Sequence, residues 1–403
     1  MTRPRPCGPL SRRSALGVLG AVPVAAGTAL VAPGIAGADQ ARNGPVPRDL
    51  RPGGAFDRHV AKLAAEDKFS GSLLLAHQGK AVLARAYGKA NKRLSIPNRP
   101  DTTFVLASMT KMFTAVALVQ LAERGKVDFF KTLGTYVKGF PADIADKVTV
   151  HQLLTHTSGM GDHTQEPEWD KESTKWTSTA EVWNGTLAII RKMPLKSAPG
   201  TQFGYSNAGF CVLGEIVAQV SGQSYYDYVR DNVFTKAGMA HTAFYTKPQW
   251  QTDKRIAHPY GSDPSGGPRV DRIDDQTFIG SPAGNAFSPC ADMIRFGRAL
   301  HGGKLLDHAF KDLAMSGKVS LPPTPSSDSA VQTTHWGYGF IAWIYNNQRI
   351  VGHTGGSMNG GISTMTDTYP DLDWEVAILM NYDDLTVLNA LSSHARRLIT
   401  RSS

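Results

Sequence analysis

Ser108 and Lys111 stand three residues apart in Phe104-Val105-Leu106-Ala107-Ser108-Met109-Thr110-Lys111. A short apolar, β-leaning run there delivers the serine to the start of a strongly helical segment that continues to Leu121 and stops at Gly125. Residues three apart share a helix face, so the amine of Lys111 is brought back toward the Ser108 hydroxyl. A serine hydroxyl is a poor nucleophile until a neighbour takes its proton. A lysine desolvated among apolar side chains can lose its own proton and become that base. Met109, Met112, Phe113, Val116 and Val119 supply the apolar setting. The helix start adds N–H groups and a dipole that favour developing negative charge beside Ser108. The chemistry is acyl transfer through a serine ester. Alone, a Ser-x-x-Lys is a weak signal, because a chain with many of both residues contains one by accident.

Two further clusters carry compatible chemistry. Tyr205-Ser206-Asn207 follows a Pro199-Gly200 turn and precedes a helix beginning near Ala208, so its side chains can project from a loop held by packed elements. A tyrosine there can relay a proton, and an asparagine can hold both a lysine and a substrate amide. The plainer alternative is that Tyr205 packs and Asn207 caps the helix. His353-Thr354-Gly355-Gly356 ends a predicted strand, where small residues let a substrate backbone approach and leave N–H groups for an oxyanion.

Together the three clusters resemble the serine hydrolases built like penicillin-binding proteins and β-lactamases, in which Ser-x-x-Lys, Ser- or Tyr-x-Asn and Lys- or His-Thr-Gly occur in this order. Leu153-Leu154-Thr155-His156-Thr157-Ser158-Gly159-Met160 and Ser281-Pro282-Ala283-Gly284 leading to Asp292 are similar to segments of class C β-lactamase relatives. The resemblance spans roughly Ala55 to Arg397. It implies Ser108 as acylated nucleophile, Lys111 as its proton partner and Tyr205 as acid/base. Asn207 would orient substrate, His353, Thr354 and Gly355 would contact it, and the N–H groups of Ser108 and Gly356 would form the oxyanion hole. Two departures stand out. Tyr-Ser-Asn replaces the Ser-Asp-Asn of class A β-lactamases, with no corresponding acidic base for deacylation, and His353 replaces the lysine most β-lactamases carry before Thr-Gly. His-Thr-Gly resembles the exported D-alanyl-D-alanine carboxypeptidases of actinobacteria, and the further glycine is also at home in D-aminopeptidases and esterases. The implied activity is carboxypeptidase-like. The alternatives are esterase or D-aminopeptidase, then β-lactamase, then a slowly turning-over penicillin-binding sensor. A small acyl substrate (D-Ala-D-Ala peptide, ester or amide), no cofactor and a monomeric state are expected.

Other chemistries lack their signatures. No Gly-x-Ser-x-Gly elbow, His-Glu-x-x-His or Gly-x-x-x-x-Gly-Lys-Ser/Thr occurs, and Cys211 and Cys290 have no close cysteine partners, so no metal site is indicated. The formal charge is +9, but Arg3, Arg5, Arg12 and Arg13 lie in a first segment that holds no acid, leaving +5. The remaining basic residues are dispersed, which argues against nucleic-acid binding. Residues 1–38 have a basic start with Arg12-Arg13, an apolar middle and an Ala36-Gly37-Ala38 exit, the pattern of a secretory signal of the twin-arginine kind. The expected location is therefore secreted or cell-envelope, with no stable membrane span. Export would permit a Cys211–Cys290 bridge, while apolar neighbours suit two buried thiols, and the sequence leaves both open.

The elements that position these clusters follow from periodicity. Residues 39–54 are Pro-, Gly- and Arg-rich without period and are expected to be a flexible leader, with the hydrolase domain at 55–403. Phe56–Ala65 has helical spacing, and Ser72–Ala76 and Ala81–Ala84 form a hairpin about Gln78-Gly79-Lys80. Helices are expected over Val150–Thr155, Ala180–Lys192 and Ala208–Val220, with a long acidic, Trp-bearing loop from Gly161 to Lys175 as rim of a cleft. Strand character returns at Tyr338–Tyr345, Arg349–His353, Ile362–Thr368 and Glu375–Met380, before a last helix over Leu385–Ile399. Strands near both ends with helices between imply an α+β fold, an antiparallel sheet completed by both termini and a helical lobe inserted between them.

Overall fold

The computed structural model describes residues 45–401 apart from 264, 323–329 and 358. The expected secretory signal, Cys7 and the first part of the expected leader lie outside the described residues. Helix α1 (Ala55–Ala65) leads into strands β1 (Gly71–His77) and β2 (Lys80–Tyr87), and α2 (Lys111–Glu123), α3 (Thr179–Lys192), α4 (Asn207–Ser221) and α5 (Cys290–His301) follow. The chain then forms β3 (Val319–Ser320), β4 (Val331–Trp336), β5 (Ile341–Tyr345), β6 (Gln348–Ser357), β7 (Ile362–Tyr369) and β8 (Trp374–Met380), and ends in α6 (Leu385–Thr400). The strands make one eight-stranded antiparallel sheet in the order β2-β1-β8-β7-β6-β5-β4-β3. The N-terminal hairpin thus joins the C-terminal strands, from Gly71↔Met380 to His77↔Trp374. The α+β architecture with its inserted helical lobe is the one the sequence implies.

Alternation along the strands builds two cores. On β8, Val376 and Ile378 pack with Leu73 and Leu75 of β1 under α1 and α6, while Ala377 and Leu379 face the helical lobe. Every residue of β8 is buried, as suits a strand covered on both faces. Helix α2 is apolar all round and buried along almost its whole length, the signature of a central helix. Its few polar side chains are satisfied: Thr114 Oγ1 meets Tyr225 Oη and Pro282 O at 2.7 Å, and Gln120 Nε2 donates to Asn232 O and Leu305 O at 3.0 Å. Gly125 ends the segment with φ +67°, a left-handed conformation that glycine adopts without steric cost.

Several expectations are corrected. The flexible leader does not reach residue 54, because Arg48–Leu50 forms a 3-10 turn and Leu50 is fully buried against α1 and α6. One well-placed apolar side chain holds the turn without any periodic pattern. The Gly161–Lys175 stretch is not all loop: Pro167–Glu172 is a short helix with Pro at its first turn, a position where the missing N–H costs nothing. Strands β3 and β4 were not anticipated, since β4 is largely half-buried or exposed and lacks a clean apolar face. Cys211 and Cys290 are separate buried free thiols. Among the described residues no helix is long and apolar enough to cross a membrane, and no group of three or more His, Cys, Asp or Glu is placed to hold a metal ion.

Candidate active site

Ser108 is delivered by a strained turn. Phe104 and Val105 pair with Ser288 and Phe287, Leu106 N donates to Ala286 O at 2.8 Å, and Ala107 then takes φ +46°. A non-glycine residue in this region costs on the order of 1–3 kcal/mol and persists only where its surroundings fix it. Here the Ala107 carbonyl accepts from Thr110 Oγ1 at 2.8 Å and from Asn285 N at 3.1 Å. Ala107–Thr110 is a 3-10 turn and the α-helix proper begins at Lys111, one turn later than the sequence suggests.

The turn sets the Lys111 amine beneath the serine. Lys111 is fully buried, and Nζ lies 3.2 Å from Ser108 Oγ, 2.7 Å from Asn207 Oδ1 and 2.6 Å from Ala283 O. Burial lowers its pKa to about 7, against the opposing pull of negative charge on Asp162. The amine is therefore close to half deprotonated at neutral pH, and in that form it can accept the Ser108 proton.

Tyr205, Ser206 and Asn207 divide three tasks. Ser206, not Asn207, caps α4: its Oγ accepts from Gly209 N at 3.0 Å and donates to Gly161 O at 2.7 Å. Asn207 is thereby left to bind Lys111. Its amide orientation is set from behind, since Nδ2 donates to Asp162 Oδ2 at 2.7 Å. Tyr205 Oη donates to Ser108 Oγ at 2.7 Å, and loss of hydration pushes its pKa upward, so it is a protonated donor at neutral pH. Its ring stacks on His156 with centroids 4.5 Å apart. His156, at φ +57°, accepts from Ser206 N through Nδ1 at 3.0 Å, which leaves the proton on Nε2. Asp162 and the His156 shelf were not picked out from the sequence as site residues, although both lie in segments it marked.

Strand β6 brings the fourth wall. Its pairing with β5 ends at Ile341↔Gly352, while its pairing with β7 runs on to Ser357↔Ile362. From His353 to Ser357 one edge of β6 is thus without a strand partner among the described residues. Gly356 and Ser357 line a cavity of about 690 Å³ together with Ser108, Asn207, Trp169 and Asn285. The Trp-bearing segment supplies the rim, as the sequence suggests: Trp169 packs edge-on against Trp176 and His163. His353 and Thr354 do not line the cavity. His353 is buried against Trp336, its Nδ1 donates to the Thr354 carbonyl, and burial followed by the nearby Lys111 charge pushes its pKa down to about 3. A charged His353 as a grip for a substrate carboxylate is excluded by that burial.

A family model described as Beta-lactamase matches residues 56–400. The chain is 28% identical over 249 residues to the putative penicillin-binding protein PbpX of Bacillus subtilis, covering 62% of this chain and 59% of that protein. It is 27% identical over 342 residues to penicillin-binding protein 4* of the same organism, covering 80% of this chain and 70% of that one. A solved penicillin-binding protein from Bacillus halodurans superposes with TM-score 0.71 at 27% identity, over 83% of this chain and all but 1% of the other (99% covered). The fold is shared with the D-amino acid amidase of Ochrobactrum anthropi (TM-score 0.69, 22% identity, 86% of this chain and 99% of that one). It is shared too with the hydrolase EstCE1 (TM-score 0.68, 20% identity, 86% and 97%). A family match over nearly the whole described chain, on a fold that brings the serine, lysine and tyrosine together, means that this chain belongs to the β-lactamase family of serine hydrolases.

Proposed function

We propose that the protein is an exported serine hydrolase that works through a Ser108 acyl-enzyme and cleaves short D-amino-acyl peptides in the manner of a D-alanyl-D-alanine carboxypeptidase. The observation that carries the reading is the 3.2 Å contact between Ser108 Oγ and a fully buried Lys111 whose pKa is near 7. Neutral Lys111 takes the Ser108 proton, Oγ attacks the carbonyl, and the N–H groups of Ser108 and Gly356 hold the oxyanion. Tyr205 delivers a proton to the leaving group and is reprotonated by the proton that Lys111 took from Ser108, and water then releases the acyl group along the reverse path. Asn207 fixes the lysine and meets the substrate amide.

The unpaired edge of β6 favours a peptide, because an extended chain laid along it would find backbone partners on the strand. The penicillin-binding relatives and the amidase neighbour support an amide or peptide substrate. One observation favours an esterase: the buried, neutral His353 supplies no cation for a free carboxylate. Incubating the mature protein with D-Ala-D-Ala peptides, D-amino amides, short-chain esters and a chromogenic cephalosporin separates the two. Peptide turnover with release of the terminal D-amino acid is expected. Rapid ester hydrolysis beside peptide turnover equal to buffer would replace the peptidase reading with the esterase.

A further inference from the structure

We infer that Arg272 is the anion-recognition residue of the cavity and takes a carboxylate carried by the substrate. This rests on the acyl-enzyme reading of Ser108. Among the described residues lining the cavity, Arg272 is the one lysine or arginine. The Lys111 amine lies buried beneath the serine and is occupied by three acceptors. His353, at the position where most β-lactamases carry a lysine, is neutral and stands outside the lining. A substrate carboxylate entering the cavity therefore meets Arg272 or no fixed positive charge at its walls.

The setting of Arg272 holds its stem in place and leaves the guanidinium without a close carboxylate partner. Its backbone N donates to Pro259 O at 2.8 Å, and Nη2 donates to Ser262 O at 3.2 Å. Its stem packs so closely on Gly261 that a Cβ there would come within 2.9 Å of Arg272 Cγ. Nε is buried with no hydrogen-bond partner. The one carboxylate in contact is Asp275, at 3.4 Å from Nη1, and its side chain is 64% exposed. So loose an exposed pair holds little energy and yields readily to a better partner. The neighbouring Arg269 differs: it is committed to Asp383 and lies over the Tyr382 ring at 4.3 Å. A guanidinium fixed by its stem, with N–H groups not taken by a close carboxylate, can grip an incoming carboxylate in the bidentate manner that lysine cannot reproduce. Asn285 and Asn359, which also line the cavity, add neutral amide groups to its wall.

The carboxylate could sit on the leaving group or on the acyl side, and a set of aryl esters tells these apart. The first ester has phenylacetylglycine on unsubstituted phenol, the second carries a meta-carboxylate on the phenol, and the third has a hemisuccinyl acyl group on unsubstituted phenol. The ratio of kcat/KM for an anionic ester to that for the neutral one is measured for wild type, Arg272→Gln, Arg272→Lys and Asp275→Asn. Arg272→Gln should lower the ratio about tenfold or more for one of the anionic esters, which identifies the side, and Arg272→Lys should restore it in part. Asp275→Asn should raise the same ratio. Neutral-ester hydrolysis with both ratios unmoved in Arg272→Gln would overturn the assignment of Arg272 alone. Failure of wild type to hydrolyse any of the three would overturn the acyl-enzyme reading and the Arg272 assignment with it.

Discussion

Gly355 of β6 lies so close to the Leu106 carbonyl that a Cβ added to it would come within 2.2 Å of that oxygen and 2.5 Å of Thr364 Oγ1. Thr364 Oγ1 itself donates to Leu106 O at 2.9 Å. The strand and the turn that presents Ser108 are thus packed backbone to backbone, with no room for a side chain. Gly355→Ala should push the turn away from β6, lower stability by about 1–3 kcal/mol and, in the fraction that remains folded, lower kcat/KM by about 10²-fold or more. Activity within about threefold of wild type would show that the two walls are not held in register by this contact.

The pH dependence of acylation follows from the burial of Lys111. Its amine must be neutral to act as base, so kcat/KM should rise with pH through about 7 and level off above. Asp162 raises the lysine pKa, so Asp162→Asn should move this limb to lower pH. Lys111→Met should remove the limb and slow acylation by about 10²–10⁴-fold. An unshifted limb in Asp162→Asn would detach Asp162 from the lysine.

Three histidines buried around the site should make the protein sensitive to acid. Burial holds His353 down to about 3, His163 to about 4 and His156 well below its ordinary value. In the unfolded chain each takes a proton near pH 6.5, whereas the folded state resists it. The stability they contribute is therefore present above 6.5 and lost as pH falls toward 4. Each adds a slope of about 1.4 kcal/mol per pH unit. Lys111 adds nothing in this window, being protonated in both states below its folded pKa. Denaturant titrations at stepped pH should show the decline, and His353→Asn should reduce its slope by about 1.4 kcal/mol per pH unit. A slope unchanged in that variant would mean His353 is not held neutral.

The two thiols should be inert. Burial pushes both Cys211 and Cys290 up to about 12. A thiol reagent should leave both unmodified in the native protein and modify both after unfolding without reductant. Failure of either to react in the unfolded, unreduced protein would restore the disulfide.

Ser108, Lys111, Tyr205 and Asn207 were legible through the ordered motifs of the family resemblance, each cluster being a weak signal alone, and the fold brings the four side chains together. The sheet was legible where strands such as β1 and β8 bury a face, and was missed at β4, whose burial is poor. Burial depth, by contrast, is a property of the packed whole. His353 reads in one dimension as the replacement for a lysine and becomes a neutral interior side chain only once Trp336 is packed against it and the Lys111 charge is brought near. Asp162 escaped for the same reason, since its tie to Asn207 joins positions 45 residues apart. Arg272, remote in sequence from every cluster that carries chemistry, shares a cavity with Ser108 only through the fold.

The most direct test of the acyl-enzyme is intact-protein and peptide mass spectrometry after brief exposure to a serine-directed phosphonylating reagent and, in parallel, to a slowly released ester. One adduct is expected, on Ser108, absent from Ser108→Ala, retained in Ser206→Ala and formed far more slowly in Lys111→Met. An adduct on any other residue, or labelling of Ser108→Ala at the wild-type rate, would contradict the assignment of Ser108 as nucleophile.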